Sequence, residues 1–298
     1  MEAGTAEPAA PLSSELLGFP ADARVLIVNC DDLGMHESVN AAVVEAIEEG
    51  IAGSASLMVP CPAAEQAMQL LGRRPSIPFG IHLTLTRDGR GHRWAPVTPV
   101  SDVPSLVDGE GLLFTGAAAP QLLAQARIED VERELRAQID VVARRGLRPT
   151  HLDWHVLADG GRRDILDLTV ALARDHGLAA RMWLDPGREQ ARGRGLPVVD
   201  HDFLDSFALP LAGKAERYVQ ALRALPAGLS EWAVHPAVGE ETPAEVDLGW
   251  AVRRSDHAFL CSRRARRVID DEGIVVIDHR ALQRVWAAAE PGALDDHT

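Results

Sequence analysis

The chain has 298 residues, 46% of them apolar and 25% charged, with a formal charge of −14. This describes an ordinary globular protein able to bury a full core, and its acidic field argues against nucleic acid or an anionic membrane surface as a partner. The cysteines, Cys30, Cys61 and Cys261, are odd in number and widely spaced in apolar segments, so they read as small core residues in a reducing cytoplasm, not as a disulfide framework.

Residues 1–22 are rich in Ala, Pro, Ser and Glu and lack the basic and apolar runs of a secretory signal or membrane span, so a disordered tail is expected. From 23 to 290 the pattern reads as one domain. "RVLIVN" is a strand, and "HESVNAAVVEAIEEG" is a helix with Val39, Val43, Ala46 and Ile47 on one face, started by Ser38 or Asn40. The strands "SASLMV" and "PFGIHLTL" flank the helical "CPAAEQAMQLLGRRP". A loop-rich stretch from about Arg87 to Ala119 is long enough to suggest a functional role. One helical run, "QLLAQARIEDVERELRAQIDVVARRG", precedes a strand at "THLDWH", the helix "DILDLTVALARDHG", and strands near "LAARMW" and "LPVVD". The helix "KAERYVQALRAL" carries the only lysine, Lys214, on an expected surface, which makes Schiff-base chemistry unattractive. "SEWAVH", a long polar helix between Trp250 and Glu272, the strand "GIVVID" and the helix "HRALQRVWAAA" complete the chain. About seven strands, each followed by a helix, imply an α/β fold with parallel strands and outer helices. A single distorted (β/α) barrel is expected, with an open doubly wound sheet as the alternative.

In either architecture the chemistry gathers at the carboxyl ends of the strands. Unusual residues stand at four such ends: the pair Asp31 and Asp32, His82 in "GIHLTL", the cluster "HLDWH" from His151 to His155, and His235 in "WAVHPA". A lone histidine in an apolar segment is more often a hydrogen-bonded core residue than a ligand. Four such ends together, with imidazoles and a carboxylate available, supply an open two-His, one-Asp set for a divalent metal.

Five motifs in order, "IVNCDDLG", "GIAGSASLMV", "FGIHLTL", "PTHLDWH" and "WAVHPA", resemble the YdjC-like carbohydrate deacetylases, which include chito-oligosaccharide deacetylases. The resemblance covers residues 24 to about 240 and, more loosely, the chain to 285. It implies a distorted β/α barrel that removes acetyl from N-acetylated sugars with a divalent metal. Carried over by motif, Asp32, His82 and His155 would be the metal ligands, Asp31 the general base and His235 the general acid. The family usually continues past the closing histidine with further histidines, as in His-His-His-x-His, whereas this chain reads "HVLADGG".

Amide hydrolysis needs an activated water, stabilisation of a developing oxyanion and a proton for the leaving amine. A metal supplies the first two. Asp31 suits the water's proton if it stands beside the ion rather than on it, and His235 suits the leaving nitrogen. Asp153 shares a strand face with His155, where a carboxylate orients a histidine's second nitrogen, and His151 shares that face. Arg181 is a candidate partner for Asp31, and Trp94, Trp154 and Trp183 are candidates to stack on a sugar. Imidazoles favour Zn, Co or Ni, while the resemblance points to Mg. The expected partner is a small N-acetylated sugar, with a homo-oligomer left open. Two other readings stay open: another metal hydrolase on the same barrel, acting on phosphate esters or glycosides, and a silent carbohydrate-binding protein.

Overall fold

Four consecutive apolar residues, Val25 to Val28, are wholly buried in β1 (Arg24–Leu33), because this strand is covered on both faces. The computed structural model describes residues 11–202, 204–239 and 249–289. After a short helix α1 (Ser13–Leu16) and β1, the chain alternates α2 (Glu37–Glu48), β2 (Ser54–Leu57), α3 (Ala64–Arg73) and β3 (Phe79–Leu83). A small two-stranded pair, β4 (Thr86–Arg87) and β5 (Phe114–Thr115), spans the loop-rich stretch. Then follow α4 (Ala119–Gln125), α5 (Ile128–Arg144), β6 (His151–Trp154), α6 (Arg163–Asp175), β7 (Ala179–Ala180), α7 (Asp185–Arg192) and β8 (Leu204–Asp205). The last elements are α8 (Lys214–Arg223), β9 (Gly228–Val234), α9 (Trp250–Leu260), α10 (Arg263–Asp271), β10 (Val275–Ile277) and α11 (Arg280–Ala288).

The main sheet is parallel, in the order β7-β6-β3-β2-β1-β9-β8, with β10 paired to the first half of β1. Among the described residues β7 and β8 do not pair, so the barrel stays open on that side, a distorted half-barrel ringed by helices. β10 and β2 share β1 end to end, β10 against Val25 to Ile27 and β2 from Asn29 onward.

Several local expectations change. The segment "LPVVD" forms no strand; Val198 N–H donates to Ser13 Oγ at 3.1 Å, and Asp200 takes the N–H groups of Ser13 (2.8 Å) and Leu229 (2.7 Å). Those bonds anchor α1, so the part of the expected disordered tail from residue 11 is ordered, with Ser13 and Ser14 buried; residues 1–10 lie outside the described residues. The helix expected from Trp250 to Glu272 is two helices, because Ser262 caps a new start by accepting from Ala265 N–H at 3.1 Å. The run from Gln121 to Gly146 is likewise split between α4 and α5. Lys214 is buried rather than exposed, its Nζ 2.7 Å from Asp256 Oδ1.

The long loop owes its order to α5. That helix buries Val131, Leu135, Ile139 and Val142 at helical spacing, and three buried polar residues beside them. Glu134 accepts from the N–H groups of Val97 and Thr98, both at 2.9 Å; Gln138 brackets the backbone of Thr84; Asp130 accepts from Ser105 Oγ at 2.7 Å. Backbone donors that would otherwise be stranded are thereby satisfied, and the loop is pinned above the carboxyl ends of the strands.

Candidate active site

Inside the half-barrel, alternate strand residues point inward with the period of two that a pleated strand imposes: Asn29 and Asp31, Ser54 and Ser56, Gly80 and His82, His151, Asp153 and His155, Glu231 and His235. Asp32 breaks that alternation. The register of β1 against β2 shifts between Cys30 and Leu33, three residues on β1 facing two on β2, and Asp32 takes φ +67°. A bulge therefore turns both carboxylates toward one site within a strand that runs beyond the expected "RVLIVN" to Leu33. Asn40 secures the exit by accepting from Gly34 N–H at 2.6 Å, while His36 caps α2 in place of Ser38 or Asn40.

Asp32, His82 and His155 offer donor atoms all within 4.8 Å of one another. Asp32 Oδ1 lies 3.5 Å from His82 Nε2 and 3.3 Å from His155 Nδ1. It is buried and has no hydrogen-bond partner among the described residues, while Asp32 Oδ2 is engaged by Arg253 at 2.7 Å. A buried carboxylate oxygen without a donor, facing two imidazole nitrogens, suits a cation held by one oxygen and two nitrogens. Each histidine is oriented from behind. His82 Nδ1 sits 3.1 Å from Asp153 Oδ1, and His155 Nε2 donates to Asp88 Oδ1 at 2.8 Å. Burial disfavours the charged imidazoles, yet the adjacent carboxylates win, raising His82 to about 10 (Asp153 foremost) and His155 to about 9 (Asp88 foremost), so a cation taking these nitrogens would displace protons from both rings.

Asp31 faces the same cavity but is bound differently. Arg181 grips it in a fork, Nη2 to Oδ1 at 2.8 Å and Nη1 to Oδ2 at 2.9 Å, and Asn29 Nδ2 adds a bond to Oδ1 at 2.6 Å. Burial opposes ionisation, but Arg181 and then His82 outweigh it and hold the Asp31 carboxyl down at about 2. Arg181 also reaches Asp153 Oδ2 at 2.9 Å and Glu231 Oε1 at 2.8 Å, so one guanidinium ties together three carboxylates from three strands. His235 follows β9 on the other side; its Nδ1 is 2.8 Å from Ser206 Oγ, and its backbone N–H donates to Asp256 at 3.0 Å.

A cavity of about 380 Å³ joins these residues, lined by Asp31, Asp32, His82, His155 and His235 together with Trp154, Trp183 and Phe207. Two candidates lie elsewhere. His151 sits deeper in the barrel, stacked on His279 with ring centroids 3.5 Å apart and outside the cavity lining. Burial and then His279 push its pKa well down. Gly80 makes room for that ring, since a Cβ there would lie 2.5 Å from it. Trp94 packs edge-on behind His155, centroids 5.9 Å apart, and is buried away from the cavity lining. Asp153 lies against His82, because the ladder places it directly opposite that residue.

Asp88, Arg253 and Ser206 escaped the reading of the sequence. Asp88 alone carried a signal, as the first carboxylate after the "GIHLTL" strand; Arg253 and Ser206 sit in helical and turn segments with nothing to mark them.

The sequence profile of the YdjC-like protein family matches residues 25–271. A carbohydrate deacetylase of Geobacillus stearothermophilus is 36% identical over 263 residues, covering 88% of this chain and 99% of the relative. A carbohydrate deacetylase of Thermoanaerobacter pseudethanolicus is 29% identical over 261 residues, 87% of this chain and 100% of that one. The crystal structure of an Enterococcus faecalis V583 protein, described as a candidate for cellobiose-phosphate cleavage, superposes with a TM-score of 0.76 at 26% identity, covering 87% of this chain and 99% of that one. With a profile match over most of its length and a relative aligned nearly end to end, the chain belongs to the YdjC-like protein family.

Proposed function

We propose that the protein is a metal-dependent hydrolase that removes the acetyl group from an N-acetylated mono- or oligosaccharide of the N-acetylglucosamine type. The observation that carries this reading is the pairing, in one cavity, of the Asp32, His82 and His155 donor set with a separate carboxylate, Asp31, clamped by an arginine. The substrate class is supported by the carbohydrate deacetylases to which the chain aligns nearly end to end.

Asp32, His82 and His155 would hold one divalent ion, Mg or Zn foremost and Co or Ni also compatible, which when bound polarises the acyl carbonyl and acidifies a water. Asp31 accepts the proton of the attacking water. The Arg181 fork keeps that carboxylate ionised and fixes its plane. His235 donates a proton to the departing amine, with Ser206 and Asp256 fixing the ring and its backbone. Trp154 and Trp183 both line the cavity, but Trp154 is 3% exposed and bonded to Thr169, so the half-buried Trp183 is the one that offers a face to a sugar. Three free thiols and the acidic surface suit a cytoplasmic enzyme with a small-molecule substrate, and no helix among the described residues is long and apolar enough to cross a membrane.

The test is acetate release from a panel of N-acetylated mono- and oligosaccharides, with Mg, Zn, Co or Ni supplied in turn. Metal-dependent acetate release that disappears in Asp31→Asn is expected. Release of phosphate or cleaved glycoside instead would replace this reading with another hydrolase, and sugar binding without turnover would replace it with a binding protein.

A further inference from the structure

Val156, immediately after His155, is 50% exposed and lines the cavity, yet its φ is +64°. For a β-branched residue this is a genuine outlier, because Cβ crowds the following carbonyl. The turn is closed by Leu157 N–H donating to His155 O at 2.7 Å, a three-residue turn whose central φ has the rare, strained sign. At a half-exposed position of this kind glycine or asparagine costs least, and packing gives little return for an isopropyl group.

Strain of this kind persists only where neighbouring structure over-determines it, and it gathers at ligand clamps. Here the clamp is Asp159. It is buried, and it accepts from the N–H groups of Trp183 at 2.8 Å and Leu184 at 3.0 Å, tying the segment that directly follows the turn to the one that carries Trp183. The Val156 methyls lie beside Gly116 on the cavity rim, where a Cβ on Gly116 would be 3.5 Å from one of them. Phe207, 41% exposed, gives the cavity a second apolar residue open to solvent. Depth separates the two kinds of lining residue: His155 is 5% exposed and Val156 is 50% exposed, so the acyl group belongs at the floor and the sugar ring at the rim.

We propose that the strained turn holds the Val156 side chain against the C–H face of the substrate's sugar ring, making Val156 a specificity-determining contact. This rests on the deacetylase reading above. Two variants separate strain from contact. Val156→Thr keeps the β-branch and its strain but exchanges a methyl for a hydroxyl, whereas Val156→Gly removes both strain and contact.

The probe is N,N′-diacetylchitobiose, with its Kd read from tryptophan fluorescence, KM and kcat from acetate release, and Tm from thermal unfolding. Val156→Thr should keep its Tm and raise Kd and KM several-fold, with a smaller effect on kcat. Val156→Gly should raise Tm by about 2 °C and weaken Kd and KM about tenfold. Unchanged or tighter binding in Val156→Gly overturns the contact, and a lower Tm in that variant overturns the strain. If the unaltered protein binds the probe but releases no acetate, the deacetylase reading falls, and weaker binding in both variants still supports the contact. If it releases acetate and neither variant changes KM or Kd, the contact falls and the deacetylase reading stands.

Discussion

His82 and Asp153 stand directly opposite one another on β3 and β6, with the imidazole Nδ1 3.1 Å from the carboxylate Oδ1. The contact leaves His82 Nε2 facing Asp32, the nitrogen that the proposed cation would take. Asp153→Asn keeps the shape but loses the charge that holds this orientation. Metal affinity should fall about 10- to 100-fold while the fold persists, measured by titration calorimetry and circular dichroism. Unchanged affinity would show that the ring is held by packing alone.

The neighbouring carboxylates of the β1 bulge have different partners and should respond differently. Asp31→Asn is expected to bind metal normally and lose about 10²- to 10⁴-fold in kcat, the usual worth of a positioned base. Asp32→Asn and His82→Ala should lose the metal itself. Elemental analysis of the three purified variants separates the outcomes, and equal metal loss in all three would contradict the division of roles.

Ser206 is buried against His235 Nδ1 and touches no donor of the cation set. Ser206→Ala should lower kcat about tenfold with little change in KM or metal content, because ring alignment is lost without loss of a ligand. Ser206→Thr retains the hydroxyl and should restore most of the rate. Failure of that rescue would assign Ser206 to packing.

Away from the site, Asp130 links acid stability to the long loop. Burial opposes its ionisation, but Arg127 and the Ser105 hydroxyl and N–H outweigh it and lower its pKa from 3.8 to about 2. A carboxyl depressed on folding stabilises the native state above its unfolded pKa and loses that contribution as pH falls through the folded one. Between about pH 4 and pH 2 the protein should therefore lose about 1–2 kcal/mol that Asp130→Asn does not lose, since the amide of that variant does not titrate. Urea denaturation at several pH values reads the difference, and parallel slopes for both proteins would refute it.

Much of this arrangement was legible in the chain. Apolar runs ending in His82, His155 and His235 mark parallel strands whose carboxyl ends meet, because crossover helices force neighbouring strands to point the same way. The Asp31–Asp32 pair stood out as an unusual strand end, but how both carboxylates come to face one cavity was not legible. A bulge at a non-glycine residue follows from pairing with β2, and a strand read alone carries no trace of its neighbour's register. Lys214 was misjudged for the same reason: its helix is polar by composition, yet Asp256 lies where the lysine can reach it.

The sequence by itself determined most of the elements, their parallel sense, and the residue types that converge at one end, since local periodicity and the need to bury apolar faces act within short stretches. Only the tertiary structure decided the partners. Asp88 meets His155 from 67 residues away, and Arg253 meets Asp32 across 221. Such pairings follow no period, because they depend on where two distant backbones come to rest, and it is these pairings that orient the imidazoles and leave one oxygen of Asp32 without a donor.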